Sequence, residues 1–169
     1  MRGDGGWTLP YWHDDIGTHF DKVMKQADTF LLGRKTWQIH SVFETMKDPF
    51  AAAMNKMNKI VVTKTLKNAD AWRNSTRINK NVVPEIRTLK KKKGKNILSD
   101  GSSELMHTLI KHGLVNEFHL HVYPLVLGKG KRLFPKDTRV NLKLVASKAL
   151  PTGVTYMEYV LVKRRLPHL

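Results

Sequence analysis

The chain has 169 residues, 41% hydrophobic and 26% charged, which is the size and make-up of one globular domain with its own core. Thirty Lys and Arg against fourteen Asp and Glu give a formal charge of +16 and a pI near 10.2, a field that favours anionic partners. The absence of cysteine excludes disulfides and thiolate metal sites. No stretch approaches the roughly 18 apolar residues of a membrane helix, and the opening MRGDGGWTLPYWHDD has no apolar secretory region, so the cytoplasm is the expected location and no membrane partner is expected.

Residues 1–13, rich in Gly and Trp, read as a loop. A helix is predicted from Asp14 or Asp15 to about Gln26, with Ile16, Phe20, Val23, Met24 and Ala27 at helical spacing. Residues 28–32 form a short buried strand, and a helix follows from Gly33 to Met46. Asp48 and Pro49 are an N-cap and a first helical residue for the segment after them. KIVVTK (59–64) is a β-branched strand and NSTRIN (74–79) a second one, followed by a basic helix in VVPEIRTLKKK. KNILSDG is a strand that ends at Gly101, and SSELMHTLIKHG is a helix closed by Gly113. NEFHLHVYPLVLG alternates Phe118, Leu120 and Val122 on one face. The last thirty residues are two long strands joined at Pro151 to Gly153, ahead of a basic tail at 163–169. Strand and helix alternate through the middle and the end is all strand, which predicts one α/β domain closed by an antiparallel hairpin.

The cations are scattered, and the dense runs LKKKKGK (89–95) and VKRRL (162–166) are not interleaved with aromatics as a stacking platform for bases is. Nucleic acid is therefore not the expected partner despite the charge. Three junctions carry a sharper signal. LLGRKT, VVTKT and ILSDGSS each end a strand in small or hydroxyl residues, two of them with cations. In open α/β sheets ligands gather at the carboxyl ends of strands, where glycine lets an anion approach the backbone and cations hold it. Gly33, Arg34, Lys35 and Thr36, then Thr63 and Lys64, then Gly101, Ser102 and Ser103 are the candidate anion-binding residues, and three such junctions on one edge imply a ligand with several phosphates.

These same residues carry a resemblance. LLGRKTW resembles the GR-x-T-W segment of dihydrofolate reductases. ILSDGSSELMHTLIKHGLVNEFHLHVYPLVLGKGKRLF is similar to the later half of the reductase domain of bacterial riboflavin biosynthesis, and GGW and NKIVVTKTL fit the same group. The resemblance runs from Gly5 to about Val162. It implies a three-layer α/β/α sandwich with a mixed, mostly parallel sheet, and an NADPH-dependent reductase acting by hydride transfer on a small heterocycle, many relatives pairing as homodimers. It places Gly33 to Thr36 against the 2′-phosphate and pyrophosphate of NADPH, Thr63 and Lys64 near the 2′-phosphate, and Gly101 to Ser103 on the pyrophosphate. It makes Asp15, near the start of the first helix, the candidate carboxylate for the proton step, against its alternative as a helix cap. It lays Trp7 and Tyr11 over the substrate, where an aromatic stacks on a flat ring, against a lid, dimer-contact or core role. Relatives of this kind begin with a strand in the middle of the sheet, which is not found ahead of GGW here. The expectation is thus a sheet lacking its first central strand, and a non-catalytic nucleotide-binding protein is the alternative to the enzyme.

His119 and His121 point to one face of their strand and could bind a metal, but no third histidine has matching spacing. Glu117 shares that face, which argues weakly for a site and more strongly for a solvated face or a dimer surface, so no metal is expected. LGKGK (127–131) lacks the spacing of a phosphate loop and reads as a turn.

Overall fold

The computed structural model describes residues 4–162; the basic tail at 163–169, and with it most of VKRRL, lies outside the described residues. The chain runs through α1 (Asp14–Lys25), β1 (Ala27–Gly33), α2 (Arg34–His40), α3 (Pro49–Lys56), β2 (Asn58–Val62), β3 (Ser75–Ile78), α4 (Val82–Leu89), β4 (Asn96–Leu98), α5 (Ser103–Lys111), β5 (Glu117–Val122), β6 (Leu142–Ala149) and β7 (Thr155–Leu161). β3-β2-β1-β4 form a parallel four-stranded sheet, and β5-β7-β6 form an antiparallel three-stranded one. Among the described residues no strand lies between β4 and β5, each of which pairs along a single edge. The hairpin β6–β7 turns at Pro151 to Gly153, where Gly153 adopts a left-handed φ of 81°.

Alternation in β1 decides the layers. Phe30 and Leu32 point to one face and pack with Met24 of α1, Trp37 of α2 and Met54 of α3; Leu31 points to the other and packs with Ile86 of α4 and Leu105 and Leu109 of α5. The parallel sheet is therefore covered on both faces, as parallel sheets require, and the architecture is the predicted α/β/α sandwich. Asp48 caps α3 by accepting the Ala51 N–H at 3.0 Å. Gly113, at φ 63°, closes α5 with the Leu114 N–H donating back to the Leu109 carbonyl.

Four elements differ from the sequence reading. Residues 4–11 are a 3-10 helix, not a loop, and Trp7 and Tyr11 tie it down by edge-on ring contacts with Tyr123 at 5.0 and 6.0 Å. α2 stops at His40 and continues only as a 3-10 turn, Ser41–Glu44. β4 is three residues long and β5 ends at Val122, two residues before Pro124, which has no N–H for a ladder.

Candidate functional site

The parallel strands β1, β2 and β4 end on the same edge of the sheet, with Gly33 beside Val62 and Phe30 beside Leu98. Two of the three predicted junctions meet there. Ser102 sits in a left-handed conformation at the start of α5, and its hydroxyl accepts the Gly33 N–H at 2.8 Å and hydrogen-bonds the Thr36 hydroxyl at 2.7 Å. A Cβ on Gly33 would lie 2.6 Å from the Ser102 hydroxyl. The space that glycine leaves at 33 is thus filled by Ser102, which welds the β1–α2 junction to the β4–α5 junction. Gly101, at φ 79°, packs against Thr36.

Because Ser102 turns its side chain toward Gly33, the first turn of α5, beginning at Ser103, carries no side-chain cap. Its backbone N–H groups offer the donors an anion uses. Arg34 is half-buried and bonds Gln38, while Lys35 and Lys64 are exposed. Thr63 is turned inward, and its hydroxyl accepts the Thr65 and Leu66 N–H groups, so it shapes the third junction from within. This edge offers an anion the α5 N-terminus, Arg34, Lys35 and Lys64.

Asp15 lies elsewhere. His13 caps α1 through Nδ1, freeing the Asp15 carboxylate to bond Lys148 of β6 at 2.9 Å. That bond, with the charges of Lys148 and His13 against a partial desolvation, holds Asp15 below the ordinary carboxylate range. Asp15 also lines a cavity of about 240 Å³ between α1 and the antiparallel sheet, together with His19, His121 and Tyr156. Trp7 and Tyr11 do not line it. They pack on Tyr123, and Tyr11 joins the cluster of Ile16, Leu150 and Val154 beneath it.

The cavity wall is a set of titratable rings that the sequence reading did not single out as a site. His19 packs at a tilt against Tyr156, ring centroids 3.7 Å apart, and lies 5.4 and 5.5 Å from His119 and His121. Burial first, then its neighbouring histidines, push its imidazole down to about 4, so it is neutral near pH 7. Burial also lowers His121 and His40. Asp100, in the loop after β4, is raised from its ordinary value by the protein packed around it, against the pull of His40 and His121. His19 Nε2, His40 Nδ1, His121 Nε2 and the Ser99 hydroxyl are buried without a partner, an unusual concentration of unpaired polar atoms. One signal was available in the sequence: Asp15 and His19 stand one helical turn apart. The pairing that sets Tyr156 of β7 beside His119 and His121 of β5 had none.

A family model described as the RibD C-terminal domain matches residues 2–156. The uncharacterized protein YyaP of Bacillus subtilis is 34% identical over 166 residues, covering 94% of this chain and 85% of its own. Among solved structures, a putative riboflavin biosynthesis protein from Shewanella superposes with a TM-score of 0.70 at 20% identity, over 86% of this chain and 80% of that one. A dihydrofolate reductase from Enterococcus faecalis, solved with NADP(H), superposes at 0.61 with 19% identity, over 90% and 84%. These two likenesses concern the fold.

Proposed function

Because the chain belongs to the RibD C-terminal domain family, we propose that it is an NADPH-dependent reductase acting by hydride transfer on a small heterocyclic substrate. The observation that carries this reading is the Ser102 bridge, which joins two glycine junctions and leaves the α5 N-terminus open beside them. The cofactor, when bound, supplies the hydride. Ser103 and the backbone after it would receive the pyrophosphate, with Gly33, Thr36, Gly101 and Ser102 as its rigid floor. Arg34, Lys35 and Lys64 would neutralise the 2′-phosphate, and Thr63 would hold Lys64's loop in place. The cavity under α1 would take the substrate. Asp15, ionised at its rim, would orient a substrate N–H and relay a proton. Trp7 and Tyr11, which stand outside that cavity, would act on the substrate only indirectly, by packing on Tyr123. Association as a homodimer in the cytoplasm belongs to the same proposal; exposed Leu144 and Val145 on the edge strand β6 support a self-contact. Among the described residues no helix is long and apolar enough to cross a membrane.

Calorimetric titration with NADPH and NADH tests the reading. The expected result is micromolar binding of NADPH, weaker binding of NADH, and a loss of at least about tenfold in Arg34→Ala. A folded chain that binds neither nucleotide overturns it. The unpaired edges of β4 and β5 favour a second reading, a nucleotide-binding protein without turnover. NADPH binding with no oxidation of the cofactor across a panel of pterins, flavin precursors and pyrimidines would support that one.

A further inference from the structure

The register of β5 and β7 places Glu158 directly opposite His119 on the face that also carries Glu117 and His121. One ligand atom each from Glu117, His119 and Glu158 lie within 4.8 Å of one another. Tyr156 joins them: its hydroxyl donates to Glu158 Oε2 at 2.9 Å and stands 3.1 Å from His119 Nδ1, while His119 Nε2 faces Glu117 Oε2 at 3.4 Å.

These three contacts need three protons, and a neutral His119 with Tyr156 supplies two. With the Tyr156 proton on Glu158, His119 must donate from Nδ1, and Nε2 then points a lone pair at a carboxylate oxygen. Turning the hydroxyl toward His119 satisfies Glu117 through Nε2–H but leaves the tyrosine oxygen against Glu158 with no proton between them. Either way one of the three contacts is left without a hydrogen between its two acceptor atoms, and a cation between Glu117, His119 and Glu158 would satisfy all three ligands at once.

The geometry points to a divalent metal site formed by Glu117 and His119 of β5 and Glu158 of β7. A tetrahedral ion about 2.1 Å from each ligand separates them by about 3.4 Å, which is the His119–Glu117 distance already present; a side-chain rotation brings the free oxygen of Glu158 in. His119 ligates through Nε2 while its other ring nitrogen is fixed by Tyr156, and Tyr156 holds Glu158 as well, the outer-shell arrangement that orients metal ligands. One imidazole and two carboxylates suit a first-row ion such as Zn²⁺ or Mn²⁺, with a fourth position left for water or substrate. His19 packs over His119 and shields one side. The site is independent of the nucleotide reading, since it lies on the antiparallel sheet and the test uses the metal alone.

The experiment is calorimetric titration of the chelator-treated, untagged full chain with ZnCl₂ and, separately, MnCl₂. One ion per chain is expected, with affinity falling at least about tenfold in Glu117→Gln and in His119→Gln. His107→Gln, whose ring bonds the Arg132 carbonyl away from this face, retains it. Glu117 is exposed, so Glu117→Gln tests the site without threatening the fold. No binding by the folded chain, or equal binding by Glu117→Gln and His119→Gln, overturns the site. So does a His119 ring that is doubly protonated near neutral pH by NMR and unmoved by either ion.

Discussion

Lys59 gives the sharpest test of the structure's energetics. Its side chain is fully buried at the start of β2, with Nζ donating to the Met54 and Asn55 carbonyls at 3.2 and 3.1 Å and lying 4.7 Å over the Trp72 ring. Burial lowers its pKa from 10.5 to about 8, with Glu44 opposing and Arg73 assisting. Between those values the unfolded chain holds a proton that the folded chain has released, so stability rises with pH across that window and the penalty is complete below it. At about 1.4 kcal/mol per pKa unit, moving from about pH 7 to about pH 9.5 stabilises the fold by about 2 kcal/mol through this one group. The perturbation is Lys59→Met, which keeps the length and removes the charge. Asn55 O keeps the Asn74 amide as a donor, so Met54 O alone loses its partner here. Urea unfolding of both proteins at both pH values yields a double difference in which the other lysines cancel. Stability of the wild type is expected to gain about 2 kcal/mol more than that of Lys59→Met over this range. Equal pH dependence in the two would refute the reasoning.

Ser102→Ala removes the hydroxyl that Gly33 N–H and Thr36 use, and is expected to destabilise by about 1–2 kcal/mol in urea unfolding. Gly33→Ala sets a methyl 2.6 Å from the Ser102 hydroxyl, so it is expected to cost more and to weaken NADPH binding in calorimetry, while an unchanged affinity would separate the bridge from the nucleotide site. Trp72→Phe leaves Asn55 Oδ1, now bonded by the indole N–H at 2.6 Å, without that donor in the core; about 2–4 kcal/mol should be lost, read as a fall in the urea midpoint. Asp28 is held below its ordinary 3.8 by the Lys95 N–H first and the Thr29 hydroxyl second. The stability it contributes is present above that ordinary value and lost as pH falls through its lower folded value, so acid unfolding of Asp28→Asn should show a shallower pH dependence.

The sequence by itself determined most of the elements and their alternation of strand and helix, while the three-layer arrangement came with the family resemblance. The apolar run Phe30 to Leu32, the helical spacing of Ile16, Phe20 and Met24, the start signals Asp48 and Pro49 and the stop signal Gly113 are local, because a strand, a helix face and a cap are set by residues within a turn or two. The same locality made the three strand-end junctions legible, with glycine, hydroxyl and cation adjacent in the chain. Only the tertiary structure decided how they combine. That Ser102 fills the hollow of Gly33, 69 residues away, depends on β4 pairing with β1, and that Thr63 turns inward depends on the loop it caps. Asp15 kept its helix position but acquired Lys148 from β6, which settles its charge. The largest gap was at His119. Spacing along β5 offered two histidines and a glutamate; the antiparallel register with β7 added Glu158 and Tyr156, because a cross-strand neighbour is chosen by register and not by sequence distance.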